Sequence, residues 1–146
     1  MSTSNALDAY GTLLKIGDGG GTETFTAIAE CTNISGPNLS LDLVEVTHHE
    51  STGAFKERIG TLLDGGTISL DLSFIPTAAT HRDASGGLLD DMLNKTKRNF
   101  QLQFPDSGST TWSFAAYVNA FNVTAPVEGK LGASVTITIT GVPTLA

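Results

Sequence analysis

Three features of the sequence predict an all-β fold: a sandwich or barrel of antiparallel strands with one flanking α-helix. Short stretches alternate between apolar and polar residues. Clusters of Gly, Pro, Asp and Ser separate them. A single segment carries an apolar stripe at helical spacing. Strands with one apolar and one polar face belong to antiparallel sheets that bury one side.

The elements follow in chain order. "TLLKI" (Thr12 to Ile16) reads as a short strand ahead of the turn "GDGGG", and "TETFTAIAECTNI" (Thr22 to Ile34) as a weaker one. "NLSLDLVEV" (Asn38 to Val46) alternates and then shifts phase at Val44, which predicts a bulge there. "TISLDLSF" (Thr67 to Phe74) alternates without a fault, with Ile68, Leu70, Leu72 and Phe74 on one face. "FQLQF" (Phe100 to Phe104) and "SVTITIT" (Ser134 to Thr140) do the same, whereas "TWSFAAYVNAFNV" (Thr111 to Val123) changes phase near Ala116-Tyr117. Pro105-Asp106-Ser107-Gly108 predicts a hairpin turn between Phe100–Phe104 and Thr111–Val123. The helix is expected within Ser85 to Thr96, where Leu88, Leu89, Met92 and Leu93 form the stripe. Asp83, Asp90 and Asp91 lie toward its start, and Lys95, Lys97 and Arg98 at or past its end, the order that complements a helix macrodipole.

At 146 residues the chain is expected to be one domain, 1–146, long enough to build a core without staples. One cysteine, Cys31, excludes an internal disulfide framework and cysteine-based zinc sites. No apolar run approaches the ~20 residues of a membrane helix, and the first residues lack a secretory pattern. The chain is therefore expected to be soluble and made in a cytoplasm. A formal charge of −7 and the lack of a Lys/Arg patch with interleaved aromatics argue against stationary nucleic-acid binding.

The segment Thr47 to Gly66, "THHESTGAFKERIGTLLDGG", joins two runs that read as a good hairpin without it. A connection near 20 residues is unusual in a compact domain unless it is functional or disordered. This one carries Phe55, Ile59, Leu62 and Leu63, which need cover, and a neighbouring subunit is the expected source.

Candidate chemistry is sparse. His48 and His49 with Glu50 suggest a metal site, but adjacent side chains diverge and the third histidine, His81, is distant in sequence. "GDGGG" and "LDGG" lack the Lys and Ser/Thr of a phosphate loop and read as tight turns. No Gly-x-Ser-x-Gly elbow occurs, and Cys31 sits among apolar neighbours as a packed thiol. No enzyme activity, metal or cofactor is expected. Asp42, Glu45 and Asp71 read first as acids of a solvated sheet face, with Glu45 beyond the phase shift. A monomeric carbohydrate- or protein-binding β-sandwich and a hydrolase using His48, His49 and His81 are the rival classes.

The order of segments resembles the major tail tube proteins of phages with long, non-contractile tails and of phage-derived particles such as gene transfer agents. The resemblance is carried by "GTLLKIGDGGGTETFTAIAECTNISGPNLSLDLVEVTHH", "GAFKERIGTLLDGGTISLDLSFIP", "FQLQFPDSGSTTWSFAAYVNAF" and "EGKLGASVTITITGVPTL", nearly the whole chain. Tube proteins of contractile tails and of type VI secretion resemble that family and are the alternative assembly. The resemblance implies a β-sandwich with a flanking helix, hexameric rings and a hollow stack of rings through which double-stranded DNA travels. It implies a virion tail as location, with tail terminator, distal tail and tape measure proteins as partners. It makes 47–66 an inter-ring assembly loop, with Thr47, His48, His49, Glu50, Phe55, Lys56, Arg58, Ile59, Leu62 and Leu63 as its contact residues. Asp42, Asp71 and, after the phase shift, Glu45 become the acids of a channel wall that must not hold phosphates.

Overall fold

The computed structural model describes residues 3–19, 21–82 and 87–146. Nine strands and one short α-helix occur among them, in the order β1 (Leu13–Gly17), β2 (Phe25–Ala27), β3 (Cys31–Ser35), β4 (Ser40–Glu45), β5 (Arg58–Asp64), β6 (Thr67–Ser73), α1 (Leu88–Leu93), β7 (Arg98–Gln103), β8 (Thr111–Thr124) and β9 (Gly132–Leu145), with one 3-10 turn at Thr52–Ala54 between β4 and β5. Seven strands form one antiparallel sheet in the order β2-β1-β7-β8-β9-β6-β3, while β4 and β5 pair only with each other.

The sheet is rolled. Its outermost strands, β2 and β3, would lie about 29 Å apart across a flat seven-stranded sheet. Yet only Ile28–Glu30 separate Ala27 from Cys31, a reach of at most about 14 Å. The two edges therefore approach each other, and the chain steps from one to the other through Glu30, whose φ is 52°. Buried Ile28 sits at this seam, its N–H donating to the Leu14 carbonyl. The 22–34 stretch is weak as one strand because it is two short strands on opposite edges.

The alternating side chains converge inside the roll. Leu14 and Ile16, Phe100 and Leu102, Phe114 and Val118, Val135 and Ile137, and Ile68, Leu70 and Leu72 are all buried in one cluster. Phe100 and Phe114, directly opposite in register, stack with centroids 6.0 Å apart. The predicted hairpin after Phe104 forms, with Asp106 accepting from the Thr110 N–H at 2.7 Å. The phase change of β8 lies at Asn119 rather than near Ala116-Tyr117. Val118 faces Ile137 and Ala120 faces Thr136, so β8 carries one extra residue there.

The helix is shorter than expected, and its stripe is shifted. Leu88 is buried and Met92 half-buried, but Leu93 is 62% exposed while Asp91 is fully buried. Arg98 reaches from β7 to place Nε 2.8 Å from Asp91 Oδ1 and donates through Nη1 to the Asp18 carbonyl. That ion pair, not a helix dipole, explains the Arg98 position. The last turn of α1 holds no basic residue. The proposed helix start near Ser85, with Asp83, and Gly20 of the first glycine turn lie outside the described residues.

The largest departure concerns 38–74. The strand Thr67–Ser73 pairs with β3, not with β4, and 58–64, expected as part of a loop, is itself a strand paired with β4. The two pairings share one register: Ser35↔Ser69 is followed, five residues along each strand, by Ser40↔Asp64. β3–β4 and β5–β6 are thus one long ribbon, bent where it leaves the roll. Gly66 makes the bend, with φ +73° and a position where a Cβ would stand 2.0 Å from the Asn38 carbonyl oxygen.

Candidate functional site

The β4–β5 arm is the least covered part of the molecule. Every residue of both strands is exposed. Leu39, Leu41, Leu43, Val44, Val46, Ile59, Leu62 and Leu63 are all exposed large apolar side chains, from 41% at Val46 to 81% at Leu63. An isolated two-stranded hairpin is marginal in water, and an apolar face of this kind marks an interaction surface.

Register explains why the sequence reading missed β5. Leu41 faces Leu63 and Leu43 faces Gly60, so the extra residue of the bulge lies in β5, at Thr61-Leu62, and not at Val44. The bulge erases the alternation of "RIGTLLD" and puts Leu62 and Leu63 on different faces. β4 itself keeps one phase: Leu39, Leu41, Leu43 and Glu45 point one way, and Asp42, Val44 and Val46 the other. Both faces are apolar, so no single solvated side exists to give a simple pattern.

The turn of the arm, 46–57, is held by its polar residues. Val46 N–H donates to the Glu57 carbonyl, and Glu57 N–H donates to Thr47 Oγ1 at 2.9 Å. Thr47 Oγ1 donates to Glu45 Oε1 at 3.1 Å. Ser51 Oγ accepts from His48 N–H and bonds both His48 Nδ1 and the Glu57 carboxylate. His48 Nδ1 lies 3.3 Å from Glu57 Oε2. Serine, histidine and acid meet here, but the serine stands against both partners rather than at the end of a serine–histidine–acid relay. The group braces a turn. Glu45 and Arg58 face each other across the strands, while Phe55 stands 77% exposed at the tip beside Lys56. His49 and Glu50 are exposed in the same turn.

His81 does not approach the arm. It is fully buried, accepts from the Ile75 N–H at Nδ1 and lies 2.7 Å from the Ala29 carbonyl at Nε2. Both ring nitrogens are committed to backbone, which fixes the Nε2–H tautomer and makes the residue a brace between segments. Among the described residues no group of three or more His, Cys, Asp or Glu could hold a metal ion. Burial pushes the Cys31 thiol up to about 11, away from nucleophilic use at neutral pH. No helix among the described residues is long and apolar enough to cross a membrane.

The three candidate acids do not share one surface. Asp71 is exposed on the outside of the roll, accepting from Ser134 Oγ at 2.8 Å. Asp42 and Glu45, three apart on β4, fall on opposite faces of that strand by its alternation. A Cβ on Gly65 would stand 2.6 Å from Ile139 Cγ2, and Leu39 and Leu63 border the same cavity as Ile139. The base of the arm therefore meets the core side of the sheet at Ile139. Asp71 itself lies on the outer side of the roll. That outer side has a further property that charge counting over the whole chain hides. Asp71 is the only charged residue on β3, β6, β8 and β9 together; Asn33 and Ser134 flank it in register, and Ser69 and Thr136 follow on the same face.

Comparison with known proteins places the fold. The tail of an empty gene transfer agent particle, refined with C6 symmetry, matches with a TM-score of 0.74 at 20% identity, over 97% of this chain and 99% of that one. The corresponding chain of a native gene transfer agent virion gives 0.72 at 18%, over 97% and 99%. A chain from the sheath–tube complex of an extracellular contractile injection system, in its extended state, gives 0.68 at 14%, over 99% of each. No curated protein matches the sequence. Residues 12–146 match the lambda phage tail tube protein, and the chain belongs to that family, a structural protein of phage-type virion tails.

Proposed function

We propose that six copies of this tail tube protein close into a ring, and that rings stack into a hollow tube conducting double-stranded DNA from the capsid to the host cell. The observation that carries this reading is the β4–β5 arm, an apolar ribbon exposed on both faces that only a further protein surface can cover. The free edges of β2, β3, β4 and β5 support it as well. Unpaired edges template uncontrolled association unless an assembly consumes them. A closed ring of heterologous contacts does so, and a contact that repeats along an axis builds the stack.

The channel wall is assigned to the outer side of β3, β6, β8 and β9. It carries hydroxyls, amides and one carboxylate, and no Lys or Arg that would gain affinity by releasing counterions from phosphates. Asp71 and Asp42 repel passing phosphates over a Debye length of about 8 Å at physiological salt; Glu45, on the other face of β4, is not assigned to that wall. Thr47, His48, His49, Glu50, Phe55, Lys56, Arg58, Ile59, Leu62 and Leu63 make the inter-ring contact. Tail terminator, distal tail and tape measure proteins are the partners this role requires, and no catalytic step belongs to it. The likeness to contractile-system tubes fits the shared fold, while the family match favours a non-contractile tail. Native mass spectrometry of the concentrated protein tests the ring: the reading predicts masses in multiples of six chains, and a persistent monomer would sink it.

A further inference from the structure

The base of the arm holds a cavity that the assembly reading does not by itself explain. Its volume is about 540 Å3, inside the range of about 300–1,000 Å3 typical of sites that hold a molecule or a side chain. Ile139 forms the floor. Leu39 and Leu63 make one wall, and Val142 with Pro143 the other. Two glycines keep it open: Gly65 would press a Cβ into Ile139, and Gly141, at φ +82°, lets β9 loop outward so that Val142 stands 85% exposed. The loop-out is built into the pairing. Ser113 faces Thr144 but Ala115 faces Thr140, so β9 carries two extra residues there. Asp64 is the only charged residue on the lining.

We propose that this cavity receives Phe55 from the arm of the next copy along the tube axis. The inference rests on the stacked-ring reading and names its contact. Phe55 is the only exposed phenylalanine of the seven in the chain. It stands at the far end of the arm from the cavity. Six residues of β4 at about 3.4 Å each span about 20 Å, so tip and socket are separated by an arm's length and one copy cannot fill its own site. A tip-to-base contact is heterologous and translational, which generates an open stack and not a closed pair. Charge agrees: Lys56, beside Phe55, makes no ion pair among the described residues, and Asp64 lies at the socket. The contact also covers Leu39 and Leu63, two of the exposed apolar residues at the arm's base.

Disulfide trapping in assembled tubes tests this. In a Cys31→Ser background, Phe55→Cys with Val142→Cys should give on oxidation a ladder of cross-linked chains running well past dimers, while each single-cysteine variant gives at most dimers. Should Phe55→Cys prevent assembly, p-benzoylphenylalanine at position 55 keeps an aromatic ring there. Irradiation should then join it to 139–143 or to Leu39 and Leu63. Phe55→Ala should raise the concentration of unassembled protein about tenfold or more, the effect of uncovering one large apolar side chain. Tubes that form without a ladder and photo-cross-link elsewhere would overturn the contact. So would a ladder from Val127→Cys with Val142→Cys in its place, since Val127, fully exposed at the β8–β9 turn, is the rival knob. No tubes from the unmodified chain would remove the stacking reading itself, an outcome distinct from tubes that lack this contact.

Discussion

Replacing residues 41–63 with Asn-Gly separates folding from assembly. Ser40 and Asp64 are paired neighbours at the base of the arm, so a two-residue turn can close the cut. None of the removed residues belongs to the core cluster. Shortening the connection from roughly two dozen residues to four lowers its closure cost by about 1.6 kcal/mol, so the monomer should keep its thermal midpoint or gain slightly. Assembly should respond in the opposite sense. Leu39, Leu41, Leu43, Val44, Val46, Phe55, Ile59, Leu62 and Leu63 are two fifths to four fifths exposed. Covering the exposed parts at about 2 kcal/mol per full side chain gives on the order of 10 kcal/mol gross per subunit, before ordering and association costs. Most of that is lost with the arm. Scanning calorimetry should therefore find a folded, cooperatively melting monomer, and sedimentation should find no assembly at any accessible concentration. Tubes of normal length from this variant, or a chain that no longer folds, would refute the reasoning.

Further outcomes follow from the channel wall and from the buried ion pair. Asp42→Lys with Asp71→Lys should leave particle yield intact but slow DNA release in an ejection assay, because each lysine adds counterion-release affinity for passing phosphates; equal infectivity at equal particle number would end the channel assignment. Arg98→Met should cost about 3–5 kcal/mol in urea unfolding at pH 7, since it strands the Asp91 carboxylate in the interior. Burial already holds the Asp91 carboxyl above its usual range, against the hydrogen bond and charge of Arg98. A folded value above the unfolded one means that protonation favours the fold, so its contribution fades as pH rises out of the acid range. Removing Arg98 raises that folded value further. The deficit should therefore shrink as pH falls from 7 toward 4.5, and a pH-independent deficit would contradict this reading of the pair.

Five strands of the rolled sheet, β1, β6, β7, β8 and β9, were readable because each buries one face against a single core, which leaves an alternation such as Ile68, Leu70, Leu72. The second strand of the arm, β5, was not, for a physical reason. Val44 and Leu43 point to opposite faces and both are apolar and exposed, so neither side of the arm gives a simple polar period. Thr61 and Leu62 share a bulge, so "RIGTLLD" shows neither helical nor strand period. The pairing of Thr67–Ser73 with β3 was hidden by distance, since the 22–34 stretch reads as one weak strand until the roll brings its two halves to opposite edges. Asp91 and Arg98 read as helix electrostatics because their charges fit that order. Only the burial of Asp91 shows them to be a pair. What the residues did give in advance was the surplus of apolar side chains between 47 and 66, which became the arm.

The measurement closest to the central claim is electron microscopy of the assembled protein at a resolution that traces the chain. Hollow tubes of stacked six-membered rings are predicted, with β3, β6, β8 and β9 facing the channel and each β4–β5 arm lying on the adjacent ring. Rings whose arms point into solvent, or a channel lined by β1 and β7 with Lys15 toward the DNA, would contradict it.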